Sequence, residues 1–132
     1  MTLETSLDRL IGALDGAATP YMLSGSMASS FYGISRTTRD MDLVIDPNPE
    51  QFTRLIRNLE AASFYISEPV ARSAFQRRFQ FKVIDMQNAW KADLILEKDR
   101  PFSRMEFSRR CREHVLGVDL WLSSPEDTIL AK

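Results

Sequence analysis

The spacing of apolar residues along the chain predicts amphipathic helices separated by short apolar runs. The first helix carries apolar residues at i, i+3, i+4 and i+7, which are Leu7, Leu10, Ile11 and Leu14. A second helix has the same spacing, at Phe52, Leu55, Ile56 and Leu59. Asn48 is expected to cap this second helix, with Pro49 at its first position and Gln51 as the capping-box partner. Shorter helices are expected over 27–32 and 69–75 and after Ser124.

The short apolar runs between these helices predict β-strands. They cover residues 21–23, 40–45, 64–66, 91–96 and 118–122. Phe79, Phe81 and Val83 alternate with polar residues, which indicates a further, half-buried strand. A turn at Gln87–Asn88 is expected to join that strand to 91–96 as an antiparallel hairpin. Phe79, Phe81 and Tyr65 are interpreted as core residues.

Composition indicates one ordinary globular domain that covers residues 1–132. Hydrophobic residues make up 44% and charged residues 27%, as in many soluble proteins. No apolar run approaches the roughly 20 residues that a membrane helix needs. The single Cys111 excludes an intramolecular disulfide and, with no signal peptide in view, favours a cytoplasmic location. The last helix is expected to run off the end at Lys132, as in a chain truncated at its C-terminus or in a shortened relative.

Charge is unevenly distributed although the net charge is only −1. Residues 98–114 form a basic strip, and the spacing of Ser103 and Glu106 predicts a capping box that opens a basic helix ending near Glu113. Such a strip either binds phosphates or is simply a solvated helix face. His114 and Cys111 are too few to make a zinc site and are interpreted as structural.

The candidate chemistry lies in Gly25-Ser26, thirteen further residues (27–39), and then Asp40-Met41-Asp42. Two acids at i, i+2 of a strand point from the same face. Carboxylates held side by side repel each other unless a cation lies between them. A small Gly-Ser turn leaves backbone N–H groups that can meet phosphate oxygens. Together these features predict a site for a nucleoside triphosphate and its divalent metal.

A third acid is expected from the hairpin. Asp93 interrupts the apolar strand 91–96, and an isolated charge there is costly unless it is paired or binds metal. Asp85 is the competing candidate, but it lies next to the turn, where solvent is expected to reach it. Oxygen atoms from Asp40, Asp42 and Asp93 suit Mg²⁺ or Mn²⁺, and two such ions could activate a hydroxyl and stabilise the leaving pyrophosphate.

The order of these motifs resembles the polymerase-β-type nucleotidyltransferases and, more narrowly, the AbiEii-type bacterial nucleotidyltransferases. The resemblance rests on Gly25-Ser26, on 36–42 (Arg-Thr-Thr-Arg-Asp-Met-Asp), on 91–94 (Lys-Ala-Asp-Leu) and on 124–127 (Ser-Pro-Glu-Asp). It implies an α/β (α+β) fold with a small mixed, largely antiparallel sheet flanked by helices. It also implies two-metal transfer of a nucleoside monophosphate (NMP) from a nucleoside triphosphate (NTP) such as ATP to a hydroxyl.

The resemblance also implies roles for individual residues. Asp40 and Asp42 would ligate both metal ions, and Asp93 would complete the site of the ion that activates the acceptor hydroxyl. Gly25 would let the backbone approach the phosphates, and Ser26 would hydrogen-bond the triphosphate. The basic residues that would contact phosphate are Arg36, Arg39 and Lys91.

Other interpretations stay open from the sequence. Asp40 and Asp42 could instead form salt bridges with Arg36 and Arg39, and Asp93 could form an ion pair with Lys82 or Lys91. The acceptor could be RNA, a protein or a small molecule, and the enzyme could be toxin-like. The alternative is a non-catalytic, antitoxin-like or binding module on the same fold.

Overall fold

The computed structural model describes residues 3–25, 28, 40–87 and 89–130 of the chain, with the backbone alone at Leu3, Asp40, Ile129 and Leu130. The predicted helix over 27–32 therefore lies outside the described residues, apart from Ala28. The helices are α1 (Leu3–Gly16), α2 (Pro49–Ala61), α3 (Glu68–Arg77), α4 (Pro101–Ser108) and α5 (Pro125–Leu130). The strands are β1 (Tyr21–Ser24), β2 (Asp40–Ile45), β3 (Phe64–Tyr65), β4 (Gln80–Asp85), β5 (Lys91–Leu96), β6 (Cys111–Val115) and β7 (Val118–Leu122).

These strands form one mixed sheet of seven strands in the order β3-β4-β5-β2-β1-β7-β6. Strand β2 runs parallel to β5, and β1 runs parallel to β7. The remaining pairings between described strands are antiparallel, including the predicted β4–β5 hairpin. The predicted fold class, a largely antiparallel mixed sheet flanked by helices, is confirmed.

The two faces of the central strands differ in polarity because side chains alternate along a strand. One face is apolar and buried, and its residues share a core cluster with apolar residues of α1, α2 and α3. The sheet residues of that cluster include Leu23, Met41, Leu43, Phe81, Val83, Ala92 and Leu94. The opposite face carries Asp42, Asp93 and Lys82, which are only partly buried or exposed. A layer of helices on one face thus leaves polar groups available on the other.

The start of α2 confirms the predicted capping box. Asn48 Oδ1 accepts a hydrogen bond from Gln51 N (2.8 Å), and Gln51 Oε1 accepts one from Asn48 N (2.9 Å). The four apolar residues of its predicted stripe are all buried: Phe52, Leu55, Ile56 and Leu59. This end of α2 is also tied to the end of α1, because Gln51 Nε2 donates to the carbonyl oxygen of Ala18 (2.7 Å).

The predicted basic helix from Ser103 to Glu113 is wrong. Helix α4 begins at Pro101, without a side-chain cap at Arg100, and ends at Ser108. The residues after it form β6, which pairs with β7 as a hairpin. The turn of that hairpin is Leu116–Gly117, and both residues have positive φ (50° and 81°). Two-residue hairpin turns that match the twist of the strands require this conformation. His114 therefore lies on a strand and not near a helix end.

The prediction of Tyr65 and Phe79 as core residues is also wrong, whereas Phe81 is buried. Tyr65 is 55% exposed because it points outward from the edge strand β3, beside the buried Phe64. Phe79 is 52% exposed and precedes β4; the side chains of Arg77 and Lys98 lie over its ring. Among the residues that the structure describes, no helix combines the length and the apolar character needed to cross a membrane.

Candidate active site

The polar face of the sheet carries a row of four side chains that crosses four neighbouring strands. Ser24 of β1 is the pairing partner of Asp42 of β2, and Asp42 is the partner of Asp93 of β5. Asp93 is in turn the partner of Lys82 of β4. We call Ser24, Asp42, Asp93 and Lys82 the polar row. Neighbouring strands lie about 4.8 Å apart, so the register brings the two carboxylates side by side.

The polar row is open to solvent at the β4 end. The side chains of Lys82 and Asp93 are 48% and 22% exposed, and Lys82 Nζ lies 3.1 Å from Asp93 Oδ1. The ion pair with Lys82, which the sequence left open for Asp93, is therefore present. An exposed pair of this kind is screened by water and adds little to stability. The ion pair neutralises part of the charge of the row without closing it to a ligand.

Gly25 follows β1 directly and holds its backbone against the Asp42 carboxylate. Its φ of +70° lies in the left-handed region that side chains disfavour. A Cβ atom at this position would overlap Asp42 Oδ2 and would lie 2.9 Å from Asp42 Cγ and 3.0 Å from Asp42 Cβ. Both the conformation and the lack of space therefore require glycine here.

The other predicted site residues are placed only in part. Ser26, Arg36 and Arg39 lie outside the described residues. The backbone of Asp40 lies in β2, two residues before Asp42, and its pairing partner on β5 is Lys91. Lys91 is exposed.

The residues present suit a hard divalent cation. The carboxylates of Asp42 and Asp93 supply the oxygen ligands that Mg²⁺ and Mn²⁺ prefer. The backbone at Gly25 lies against the Asp42 carboxylate with no side chain between them. Among the described side chains, which do not include that of Asp40, no three His, Cys, Asp or Glu residues gather closely enough to hold a metal. Of the three ligands predicted from the sequence, Asp40 is the one whose side chain is not described.

The expectation that solvent reaches Asp85 is wrong. Asp85 shares the buried face of β4 with Phe81 and Val83, and it is fully buried. Its carboxylate accepts hydrogen bonds from Ser6 Oγ and from Arg9 Nη1 (2.6 Å) on α1. Burial alone would raise the pKa of Asp85, but these hydrogen bonds together lower it below the usual value. Asp85 thus joins α1 to the sheet and lies on the face opposite the polar row.

A second pair of acids lies at the far end of the polar face. Asp46 and Glu97 follow β2 and β5, and Glu97 N donates to the carbonyl oxygen of Ile45 (2.8 Å). Burial raises the pKa of the Glu97 carboxyl, and the nearby positive charge of Arg104 only partly offsets this. Arg104 Nη1 donates to Asp46 Oδ2 (2.9 Å). Four residues of strand, about 13 Å, separate these acids from the polar row, so they belong to a different group.

The basic strip over 98–114 is divided among a loop, α4 and β6. Arg109 Nε donates to Asp127 Oδ2 (3.1 Å), and the guanidinium group of Arg110 lies 4.3 Å from the ring centroid of Phe107 and 4.7 Å from that of Trp121. These arginines are engaged within the protein. The strip is therefore not a single solvated helix face.

Comparison with known proteins supports the fold. The chain matches no protein-family model and no curated protein sequence. It is similar to the crystal structure of TM1012 from Thermotoga maritima, a protein provisionally named a nucleotidyltransferase. The TM-score is 0.60 at 12% sequence identity, with 99% of this chain and 84% of that chain covered. At this identity the similarity shows that the two chains share a fold.

Proposed function

We propose that the chain is a metal-dependent nucleotidyltransferase that moves an NMP from an NTP to an acceptor hydroxyl. One observation carries the proposal: Asp42 and Asp93 are register partners on parallel strands of a solvent-open face, with the Gly25 backbone against Asp42. The similarity in fold to TM1012 supports the same reaction class. The motif order that resembles the AbiEii-type enzymes supports the narrower assignment.

Each residue of the site has a distinct role in this proposal. Asp40, Asp42 and Asp93 would hold Mg²⁺ or Mn²⁺, which when bound neutralises phosphate charge and lowers the pKa of a bound hydroxyl. Gly25, which has no side chain, would let the backbone approach the phosphates. Ser26 would hydrogen-bond that triphosphate. Arg36, Arg39 and Lys91 would contact phosphate oxygens.

The reaction balances with the substrates alone. The acceptor oxygen forms a bond to the α-phosphorus of the NTP, and the bond from that phosphorus to the bridging oxygen breaks. Pyrophosphate leaves, and the proton of the hydroxyl passes to a carboxylate of the site or to solvent. The Asp42 and Asp93 carboxylates would orient the reacting groups. This orientation would increase the rate, because catalysis of such a transfer depends mainly on positioning and charge stabilisation.

The acceptor is proposed only as a class, namely a hydroxyl of RNA, of a protein or of a small molecule. The basic strip favours an RNA acceptor, because arginine side chains can bind the RNA phosphates, but the internal contacts of Arg109 and Arg110 weaken that basis. A toxin-like role remains part of the proposal through the AbiEii-type resemblance alone.

A non-catalytic binding module is the second candidate. The observation in its favour is the ion pair between Lys82 Nζ and Asp93 Oδ1 (3.1 Å), which gives Asp93 a partner without any metal. Under this alternative, Asp93 would be retained for its ion pair with Lys82. Loss of Asp93 would then alter surface charge but no reaction.

The decisive experiment is transfer of label from each α-³²P-labelled NTP with Mg²⁺ or Mn²⁺ to total RNA, to cell lysate or to small-molecule pools. We expect labelled product with wild type, none with Asp42→Asn, and none with Asp93→Ala, whose NTP affinity should stay within a few-fold of wild type. Asp99→Asn is the matched control, because Asp99 is 79% exposed in its ion pair with Arg104 and lies away from the polar row. Absence of product with every NTP and pool would favour the binding module.

A further inference from the structure

The residue that completes the polar row is Lys82, to which the resemblance assigns no role. Lys82 lies directly opposite Asp93 in the antiparallel β4–β5 pairing, as Asp42 does in the parallel β2–β5 pairing. The Asp93 carboxylate therefore stands between a second acid on one side and an ammonium group on the other. Lys82 Nζ is 3.1 Å from Asp93 Oδ1, a normal distance for a charge-assisted hydrogen bond.

This arrangement gives Lys82 two opposite effects on a cation at the site. Its hydrogen bond restrains the rotation of the Asp93 carboxylate, so that an oxygen ligand is held in a defined place. However, the ammonium group is bonded to one of the oxygens that a divalent ion would bind, and its positive charge repels that ion. The first effect favours an ordered site, and the second weakens the affinity for metal.

The backbone of Asp93 does not depend on Lys82 for its position. Strands β2 and β4 pair with β5 on either side, and the residues that flank Asp93, Ala92 and Leu94, are buried in the core. Removal of the Lys82 ammonium group should leave the Asp93 carboxylate beside Asp42. The net charge of the row then becomes more negative by one unit.

We propose that Lys82 is a positioning residue of the metal site: its ammonium group orients Asp93 in the free protein and yields Asp93 Oδ1 when a divalent cation binds. The inference rests on the proposed function, because it assumes that Asp42 and Asp93 are metal ligands. The inference adds one step to that function: the cation displaces the Lys82 ammonium group from Asp93.

The test measures Mn²⁺ binding to the full chain without nucleotide, from the loss of the free-ion electron paramagnetic resonance signal. Lys82→Met should bind Mn²⁺ about three- to tenfold more tightly than wild type, since a neighbouring positive charge at a half-exposed site has been removed. Lys82→Gln provides a second neutral variant should the first fail to fold. Lys82→Arg keeps the charge and should stay within about twofold of wild type.

Lys98→Met is the matched control, because it removes the same charge from a partly exposed lysine beyond the far end of β5, where Lys98 Nζ donates to the carbonyl oxygen of Arg78 (2.7 Å). It should leave Mn²⁺ affinity unchanged. Equal or weaker Mn²⁺ binding by both neutral Lys82 variants would overturn the inference, as would an equal gain in Lys98→Met. Wild-type protein whose Mn²⁺ binding is absent or insensitive to Asp42→Asn would overturn the metal site and this inference together. Mn²⁺ binding as described, without any NMP transfer, would count against the reaction and not against Lys82.

Discussion

Gly25 provides the sharpest structural test, because two separate physical effects oppose any side chain there. Gly25→Ala places a Cβ on a residue with φ of +70°, and that atom overlaps Asp42 Oδ2. Rotation of the Asp42 carboxylate cannot relieve the overlap fully, since Asp42 Cβ itself would lie 3.0 Å away. That distance is well inside the optimum of about 3.5–4.0 Å between carbon atoms. The backbone at residue 25 or the β2 strand must therefore shift.

The expected loss of stability is the sum of these two effects. A non-glycine residue in the left-handed region costs about 1–2 kcal/mol. Insertion of an atom into a filled space costs typically about 1–3 kcal/mol more. We therefore expect Gly25→Ala to lower the free energy of unfolding by about 2–5 kcal/mol, a large part of the roughly 5–15 kcal/mol of a typical domain.

Gly117 offers a control that separates the two effects. It also has positive φ, +81°, but a Cβ there would meet no atom within 4 Å. Gly117→Ala should therefore lose only the conformational part. Urea unfolding followed by the fluorescence of Trp90 and Trp121 would compare the two variants, and a Mn²⁺ titration should show weaker binding in Gly25→Ala alone. Equal losses of stability in both variants, with Mn²⁺ affinity unchanged in both, would refute the reasoning.

Three further predictions concern buried charges. Asp85→Ala should lower the free energy of unfolding by about 3–5 kcal/mol at pH 7, because it removes one partner of a buried ion pair. Since folding lowers the pKa of Asp85, the difference from wild type should fade as pH falls below about 4. A loss no larger than that of the exposed Asp119→Ala would contradict this prediction. Glu97→Gln should raise the melting temperature at pH 7 and match wild type at pH 3. Burial raises the pKa of Glu97, so the ionised carboxylate opposes folding at pH 7, whereas at pH 3 the carboxyl is neutral and has no such effect. An unchanged or lower melting temperature at pH 7 would count against this prediction. Arg109→Ala should lower the melting temperature at pH 7, because the hydrogen bond from Arg109 stabilises the ionised form of the buried Asp127 and so lowers its pKa. The effect should vanish in acid, where Asp127 is protonated. A change in melting temperature that does not depend on pH would point to another cause.

Local sequence patterns were sufficient to predict the bounds of three strands, two of which, β2 and β5, carry the candidate site. The apolar runs predicted strands over 40–45, 91–96 and 118–122, and these are the bounds of β2, β5 and β7. Each run is short and ends at a polar or turn-forming residue, which limits where a strand can extend. The capping box at Asn48 likewise fixes the start of α2 by hydrogen bonds between residues three apart.

Long-range pairing could not be read in the same way. The parallel alignment of β2 with β5 joins residues about fifty positions apart, and no local spacing specifies it. Yet this alignment, which makes Asp42 and Asp93 direct neighbours, is what the candidate site depends on. The expectation that Asp93 joins Asp42 came from the cost of an isolated charge on an apolar strand and from the motif order of the resemblance, and neither specified the register.

The error over 103–113 arose from competition between two local signals. Ser103 and Glu106 have capping-box spacing, but Pro101 is favoured at the first turn of a helix and starts α4 earlier. The better signal lay downstream, in Leu116–Gly117 between two runs of alternating residues, which is a hairpin pattern. Basic residues are compatible with either structure, so the charge of the strip carried no information about its secondary structure.

The error on Asp85 shows that strand alternation distinguishes a structural acid from a candidate ligand. Phe81 and Val83 were predicted to be buried, and Asp85 follows at the same two-residue interval, so it belongs on their face and needs partners such as Ser6 and Arg9. Lys82 belongs on the other face, and the β4–β5 register places it opposite Asp93. Proximity to the turn was therefore the wrong criterion for Asp85. An acid on the buried face must be satisfied by the protein itself, whereas Asp93 on the open face can exchange its Lys82 partner for a cation, which is the difference that the Mn²⁺ titrations measure.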